Sequence, residues 1–356
     1  LGERGRKQGR ILISVYKYLS MKIRELSLFK LLLTLILFLI PLKGISEHKS
    51  DTISYHDLTI YVTPSIYPLS WDSPSALYSS AIKSYKRSIF NKGGYMIGHL
   101  FIELSADEAV YEAFTSIRSI SGRANREMIV KDRVGLGILG APIPGRMESR
   151  EELEERIEFL KKRGEIAFIT FRISDESAHR ISQFVERFTY GTDGEDPPSR
   201  KYGGAYNPRF EGEGAGCSAF GLTALELAGI NFDYPEWRVD INIPMDLIGG
   251  EFNNGKRVRT RDIRRRNQWH SGDGEEGVDY VRYFIYDPSL IFRWIIDKYH
   301  SSHGEKAGER ENSANHKFIP VTKGDIPGLF LDALDIPTPK EPIFFKRPEP
   351  SFFISR

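Results

Sequence analysis

The sequence predicts an α+β fold: an antiparallel sheet packed on a buried cysteine-bearing helix, with extra helices and an extended C-terminal arm. Three observations carry this. Residues 57–63, 95–104, 109–114 and 166–173 are runs rich in β-branched and aromatic side chains, the composition of strands. Capping residues and apolar positions at helical spacing mark helices between and after them. Residues 217–228 carry polar side chains only at Ser218, Thr223 and Glu226, and a helix that is apolar nearly all round belongs inside a core.

In chain order, Asp57–Thr63 is the first strand. Ser73 and Pro74 supply a cap and a first-turn proline for a helix to about Phe90, broken at Gly93-Gly94. Tyr95–Leu104 and Ala109–Phe114 pair as a hairpin around Asp107. Residues 121–148, rich in Gly and Pro, read as irregular. Ser149 and Glu152 make a capping box, and the helix they open is acidic early and basic late, stopping at Gly164. Ile166–Ile173 is a strand, and Ser174 caps a helix whose Ala178, Ile181, Phe184, Val185 and Phe188 recur at helical spacing. A glycine- and tyrosine-rich loop, 191–216, leads into Cys217. Asp240–Ile248 reads as a strand interrupted by Pro244, and Pro288–Tyr299 as a helix. Residues 301–315 are a polar linker, and seven prolines in the last forty residues suit an extended tail. The chain thus divides into an upstream extension and signal at 1–46, a folded domain at 47–300, and a linker with tail at 301–356.

The 356 residues are 40% hydrophobic and 28% charged, which excludes global disorder, collagen and coiled coil. The net charge of +2 conceals an asymmetry: residues 1–46 hold nine Lys and Arg against two acids, leaving a net of −5 for the rest. That balance gives no support to a nucleic-acid partner for the folded part. Met21 opens a basic stretch, followed by the apolar run Leu31–Ile40 and the small residues Gly44 and Ser46, the arrangement of a secretory signal. The run is about half of the ~20 residues a spanning helix needs. The expectation is an exported protein (periplasmic, envelope-bound or secreted) whose mature chain begins near Glu47; retention of the run as a membrane anchor is the alternative.

Cys217 is the only cysteine, and an unpaired thiol in an exported chain flags reactivity. It heads a helix, where the positive end of the dipole favours thiolate. The preceding Gly212-Glu213-Gly214-Ala215-Gly216 lets a substrate carbonyl approach the backbone closely. The bland alternative is a small hydrophobe in the core. A cysteine nucleophile needs a base, normally histidine. Of eight histidines, His99 stands apart, within an apolar strand after Gly98 and flanked by Ile97, Leu100, Phe101 and Ile102. Here the bland alternative is a core histidine with a satisfied hydrogen bond.

The segments Gly98-His99-Leu100-Phe101-Ile102-Glu103-Leu104, Val110-Tyr111-Glu112-Ala113 and Gly216-Cys217-Ser218-Ala219-Phe220 resemble the circularly permuted NlpC/P60 (papain-like) cysteine hydrolase superfamily, in which the histidine strand precedes the cysteine helix. The resemblance covers about residues 93–248 through short motifs. It implies Cys217 as nucleophile and His99 as general base. It also implies a polar residue on the neighbouring strand that orients the histidine, where Glu112 falls. Glu103 is second choice, two pleats from His99, about 13 Å along the strand. A tyrosine about a dozen residues before the cysteine often helps hold the oxyanion in such enzymes, and Tyr206 fits that position. The implied function is an exported thiol hydrolase or acyltransferase acting on an amide or ester bond of a cell-wall peptide, lipid or protein. The alternative is a non-catalytic envelope- or lipid-binding domain that keeps the fold.

No cofactor or metal is expected. Gly135-x-Gly137-x-x-Gly140 is followed by Ala141-Pro142-Ile143-Pro144, so no helix opens to receive a dinucleotide. His300-x-x-His303 lies in the polar linker, and H-E-x-x-H, G-x-S-x-G and P-loop motifs are absent from the sequence. Lys256, Arg257, Arg259, Arg261, Arg264, Arg265 and Arg266 form a basic cluster. It reads either as a solvated loop or as an attraction to an anionic envelope surface.

Overall fold

The computed structural model describes residues 55–90, 94–106, 111–120, 122–192, 194–231, 234–304, 317–349 and 351–354. The expected extension and signal at 1–46 and the turn around Asp107 lie outside the described residues. The chain begins with β1 (Tyr55–Thr63), α1 (Pro74–Phe90), β2 (His99–Ala106), β3 (Ala113–Thr115), β4 (Ile117–Ser119) and α2 (Gly122–Glu127). It continues with β5 (Ile143–Met147), α3 (Arg150–Lys161), β6 (Ala167–Ser174), α4 (Asp175–Tyr190), β7 (Lys201–Tyr202) and α5 (Cys217–Leu227). It ends with β8 (Arg238–Pro244), α6 (Thr260–Arg264), β9 (Tyr280–Tyr286), α7 (Pro288–Gly304), β10 (Ile319–Lys323) and β11 (Ile326–Asp332).

A six-stranded sheet in the order β10-β11-β6-β1-β2-β3 is central. β1 runs antiparallel to both neighbours, with Ile60 opposite Ile102 on one side and Ile169 on the other. That register puts Leu58, Ile60, Val62, Leu100, Ile102, Leu104, Ile169 and Phe171 on one face, where they pack against α4, α5 and α7. Tyr61, Phe101 and Phe168 point the other way, onto Leu153 and Leu160 of α3. Alternate residues therefore serve two cores, which is why these strands read as continuous apolar runs. A separate cluster joins β8 and β9 to the 245–263 region and Phe353. No helix among the described residues is long and apolar enough to cross a membrane.

Several boundaries differ from expectation for local reasons. β2 starts at His99 rather than Tyr95, because Gly98 adopts φ +79°. A Cβ there would lie 3.0 Å from both the Thr63 carbonyl and Pro288, so glycine alone fits the turn into the strand. Residues 121–148 are not irregular throughout: they hold α2, a π-helix at Met128–Asp132, a 3-10 turn and β5. β5 pairs with β4 and β7 in a second, small sheet. Pro244 ends β8, as a missing N–H would.

The largest correction concerns the C-terminal arm. Residues 319–332 are a hairpin of the central sheet, and β11 lies parallel to β6, so the sheet is mixed rather than purely antiparallel. The prolines masked it. Pro320 sits on the edge strand, and Pro327 precedes residues 328–332, which pair with β6, so neither interrupts that ladder. Residues 333–349 have the expected irregular, extended character. Leu329 is fully buried. Leu329→Ala is expected to cost about 2–5 kcal/mol in urea unfolding, as for a core leucine. A cost below about 0.5 kcal/mol, that of a surface change, would show that the hairpin does not belong to the core.

Candidate active site

Strand β2 and helix α5 meet at one point. β3 pairs with β2 only at residues 102–104, after which Ser116 turns the chain into β4. The edge of β2 at 99–101 is therefore left open on that side. Ser116 Oγ donates to the Leu100 carbonyl at 2.6 Å, and the Leu100 N–H donates to Cys217 Sγ. Helix α5 comes this close because Gly221, one turn after Cys217, lies on Leu100; a Cβ there would fall 2.0 Å from a Leu100 methyl. Cys217 occupies the first helical position, behind Gly216 as N-cap, with the positive end of the dipole beside its sulfur.

The His99 imidazole and the Cys217 thiol lie side by side, close enough that each shifts the other's proton affinity. His99 Nε2 donates to Glu148 Oε2 at 2.5 Å, which leaves Nδ1 for the sulfur. The three residues are 3%, 4% and 6% exposed for His99, Glu148 and Cys217, so their charges face one another with little water between. The Tyr95 ring stacks on the imidazole, centroids 4.2 Å apart and 19° from parallel, and the Arg156 guanidinium lies over that tyrosine. The Tyr202 hydroxyl lies 4.0 Å from Sγ as a donor and receives the Cys217 backbone N–H.

The electrostatics follow from this packing. Burial disfavours the imidazolium, but Cys217 and Glu148 outweigh it and raise His99 to about 9. Burial likewise pushes the Cys217 thiol up, and His99, the Leu100 N–H and the Tyr202 hydroxyl together bring it below its ordinary value. Burial opposes the Glu148 carboxylate too; the hydrogen bond and charge of His99, then Arg118 at 3.5 Å, hold it below the usual range. The lowered thiol, the raised imidazole and the lowered carboxyl thus lie side by side in one buried row.

The structure brings Cys217 and His99 together and places Glu112 and Tyr206 elsewhere. Glu112 does not reach His99: it is half-exposed and pairs with Arg150 at 3.7 Å. Glu103 accepts from Tyr61 at 2.8 Å and Lys323 at 2.7 Å instead. The carboxylate at the histidine is Glu148, between β5 and the Ser149 cap of α3. Its own N–H donates to the Ser116 carbonyl at 2.8 Å, and Thr115 Oγ1 donates to its carbonyl at 2.9 Å, so the small sheet fixes it against β3. The sequence signal was an acid directly before a capping serine. Tyr206 is also displaced, packed near Gly203, with its hydroxyl pushed above the ordinary tyrosine range by burial and then by Glu213. Tyr202 takes its place because β7 aligns it with Ile143 on one side and Ala215 on the other, two residues before the cysteine.

The tail fastens the loop that delivers Cys217. Arg209 is 2% exposed and donates to the carbonyls of Ile343 at 2.7 Å and Pro342 at 2.9 Å and to Glu226 at 2.6 Å. Arg347 pairs with Glu213 in the same loop.

Comparison with known protein families, with curated proteins and with solved structures yields no match. The site therefore stands on its own geometry.

Glu148 offers a direct check. An unfolded glutamate takes a proton near pH 4.5, whereas folded Glu148 resists it to lower pH. The stability from its ion pair is thus complete above pH 4.5 and lost as pH falls through the lower folded value. Glu148→Gln is expected to flatten this acid limb in thermal melts and to cost about 1.5–3 kcal/mol at neutral pH. Glu112→Gln should change neither. Equal behaviour of the two variants would contradict the assignment.

Proposed function

We propose that this chain is a papain-like thiol hydrolase or acyltransferase with Cys217 as nucleophile, His99 as acid and base, and Glu148 as the group that orients the imidazole. The observation that carries it is the buried row Glu148–His99–Cys217, with the cysteine at a helix N-terminus. Structural cysteines in a core need neither a charged histidine nor an open strand edge. In the reaction, the Cys217 thiolate attacks the carbonyl carbon of an amide or ester. His99 gives its proton to the leaving nitrogen or oxygen as the carbon–heteroatom bond breaks, leaving an acyl-enzyme. His99, now neutral, takes a proton from water or from an acceptor nucleophile, which attacks the thioester and restores the thiolate. The Tyr202 hydroxyl and the Cys217 N–H, which meet each other beside the sulfur, would exchange that bond for the oxyanion and steady it.

The substrate class in this reading is a cell-wall peptide, a lipid or a protein amide. Residues 21–46, as a signal, would place the enzyme outside the cytoplasm, in agreement with those substrates.

Alkylation tests the reading. An ordinary thiol with pKa near 8.5 is under about 1% thiolate at pH 6. Cys217 should instead react with iodoacetamide at pH 6 at a rate close to that at pH 8. His99→Ala should slow the pH 6 reaction more than tenfold, Tyr202→Phe by a smaller factor, and Cys217→Ser should abolish both labelling and acyl-probe capture. An ordinary thiol profile, indifferent to His99, leaves the non-catalytic binding domain as the reading.

A further inference from the structure

The exposed surface holds one combination that the proposed chemistry does not use. The π-helix Met128–Asp132 turns Met128 partly inward against the second core, and presents Ile129 and Val130 to solvent at 52% and 64% exposure. The basic segment 256–266 lies against it. Arg257 donates to the Lys131 carbonyl at 3.0 Å, and the Val258 N–H donates to the Arg133 carbonyl at 3.0 Å. These bonds bring Lys131 and Arg133 beside Lys256, Arg257 and Arg259, and Arg261, Arg264 and Arg265 follow in the same segment, all exposed. The same stretches hold three acids, Glu127, Asp132 and Asp262, against their larger number of Lys and Arg, and Asp262 is paired with Arg259 and Arg261.

We infer that this face docks on an anionic lipid bilayer, with Ile129 and Val130 entering the interface and the surrounding Lys and Arg side chains engaging headgroups. Charge and apolarity both point to that partner. Each basic side chain near an anionic leaflet adds attraction, and the attraction fades within a Debye length. A charged polymer would satisfy the cations but leaves two branched apolar side chains in water; a bilayer interface takes both. The rigid footing matters as well. Val258 is buried, and Gly250 and Lys256 bridge, so the basic loop is held in place beside the apolar pair.

The full chain carries another apolar run at 31–40, so the readout must report on this face alone. Cys217 is the sole cysteine, so Val130→Cys in a Cys217→Ser background places one environment-sensitive fluorophore at the patch. Mixed phosphatidylglycerol–phosphatidylcholine vesicles should raise and blue-shift its emission severalfold, and pure phosphatidylcholine vesicles should not. Reversing Lys256, Arg264 and Arg265 to Glu should raise the lipid concentration needed at least tenfold, as should moderate salt. In the unlabelled chain, Ile129→Asp with Val130→Asp should weaken vesicle sedimentation by a similar factor. An unchanged fluorophore on vesicles that sediment the protein would overturn the inference, because binding would then lie elsewhere. An equal response to neutral and anionic vesicles, or binding to an anionic polysaccharide with no spectral change, would overturn it as well.

Discussion

The ladder between β2 and β3 stops at Ile102, and the site depends on that interruption. Had β3 continued alongside Leu100, its backbone would have taken the N–H that now donates to Cys217 Sγ. Ser116 satisfies the Leu100 carbonyl with its hydroxyl and diverts the chain into a second sheet, which then returns with Glu148 and Tyr202. One broken pairing thus opens a strand edge for the sulfur and supplies the two residues that complete its surroundings. Gly221 lets α5 settle onto that edge, and Gly98 lets β2 begin at the histidine.

Burial gives the arrangement its force and its cost. Each of the three groups would resist ionisation alone in so enclosed a place. When charged together, in alternating sign, each would lower the penalty of the next, with Arg118 at the outer end. The row is therefore cooperative, and removing one member leaves its neighbour exposed to an uncompensated penalty. Tyr95 and the clamp of Arg209 on the tail limit how far the imidazole and the cysteine loop can drift.

Much of this was legible in the sequence, and the remainder was hidden for identifiable reasons. The helices at 74–90, 150–161 and 175–190 announce themselves by cap residues and spacing. Cys217 and His99 were visible because a thiol at a helix start and a histidine in an apolar strand both break local pattern. Glu148 and Tyr202 were not, because their roles come from the small sheet β4-β5-β7, whose strands are too short to read by periodicity. Glu112, favoured as the polar residue of the expected neighbouring strand, turns to Arg150 on the surface. The tail hairpin was hidden by prolines that sit where no ladder bond to β6 is lost.

The central claim is that Cys217 and His99 rest as thiolate and imidazolium, not as two neutral groups. Nitrogen NMR of the His99 ring in the full chain tests it most directly. Both ring nitrogens should remain protonated through neutral pH and titrate near 9. In Cys217→Ala, the titration should move down toward the ordinary histidine range, because the partner charge is gone while burial stays. A wild-type ring that is neutral at pH 7.5 and unchanged by Cys217→Ala would contradict the account.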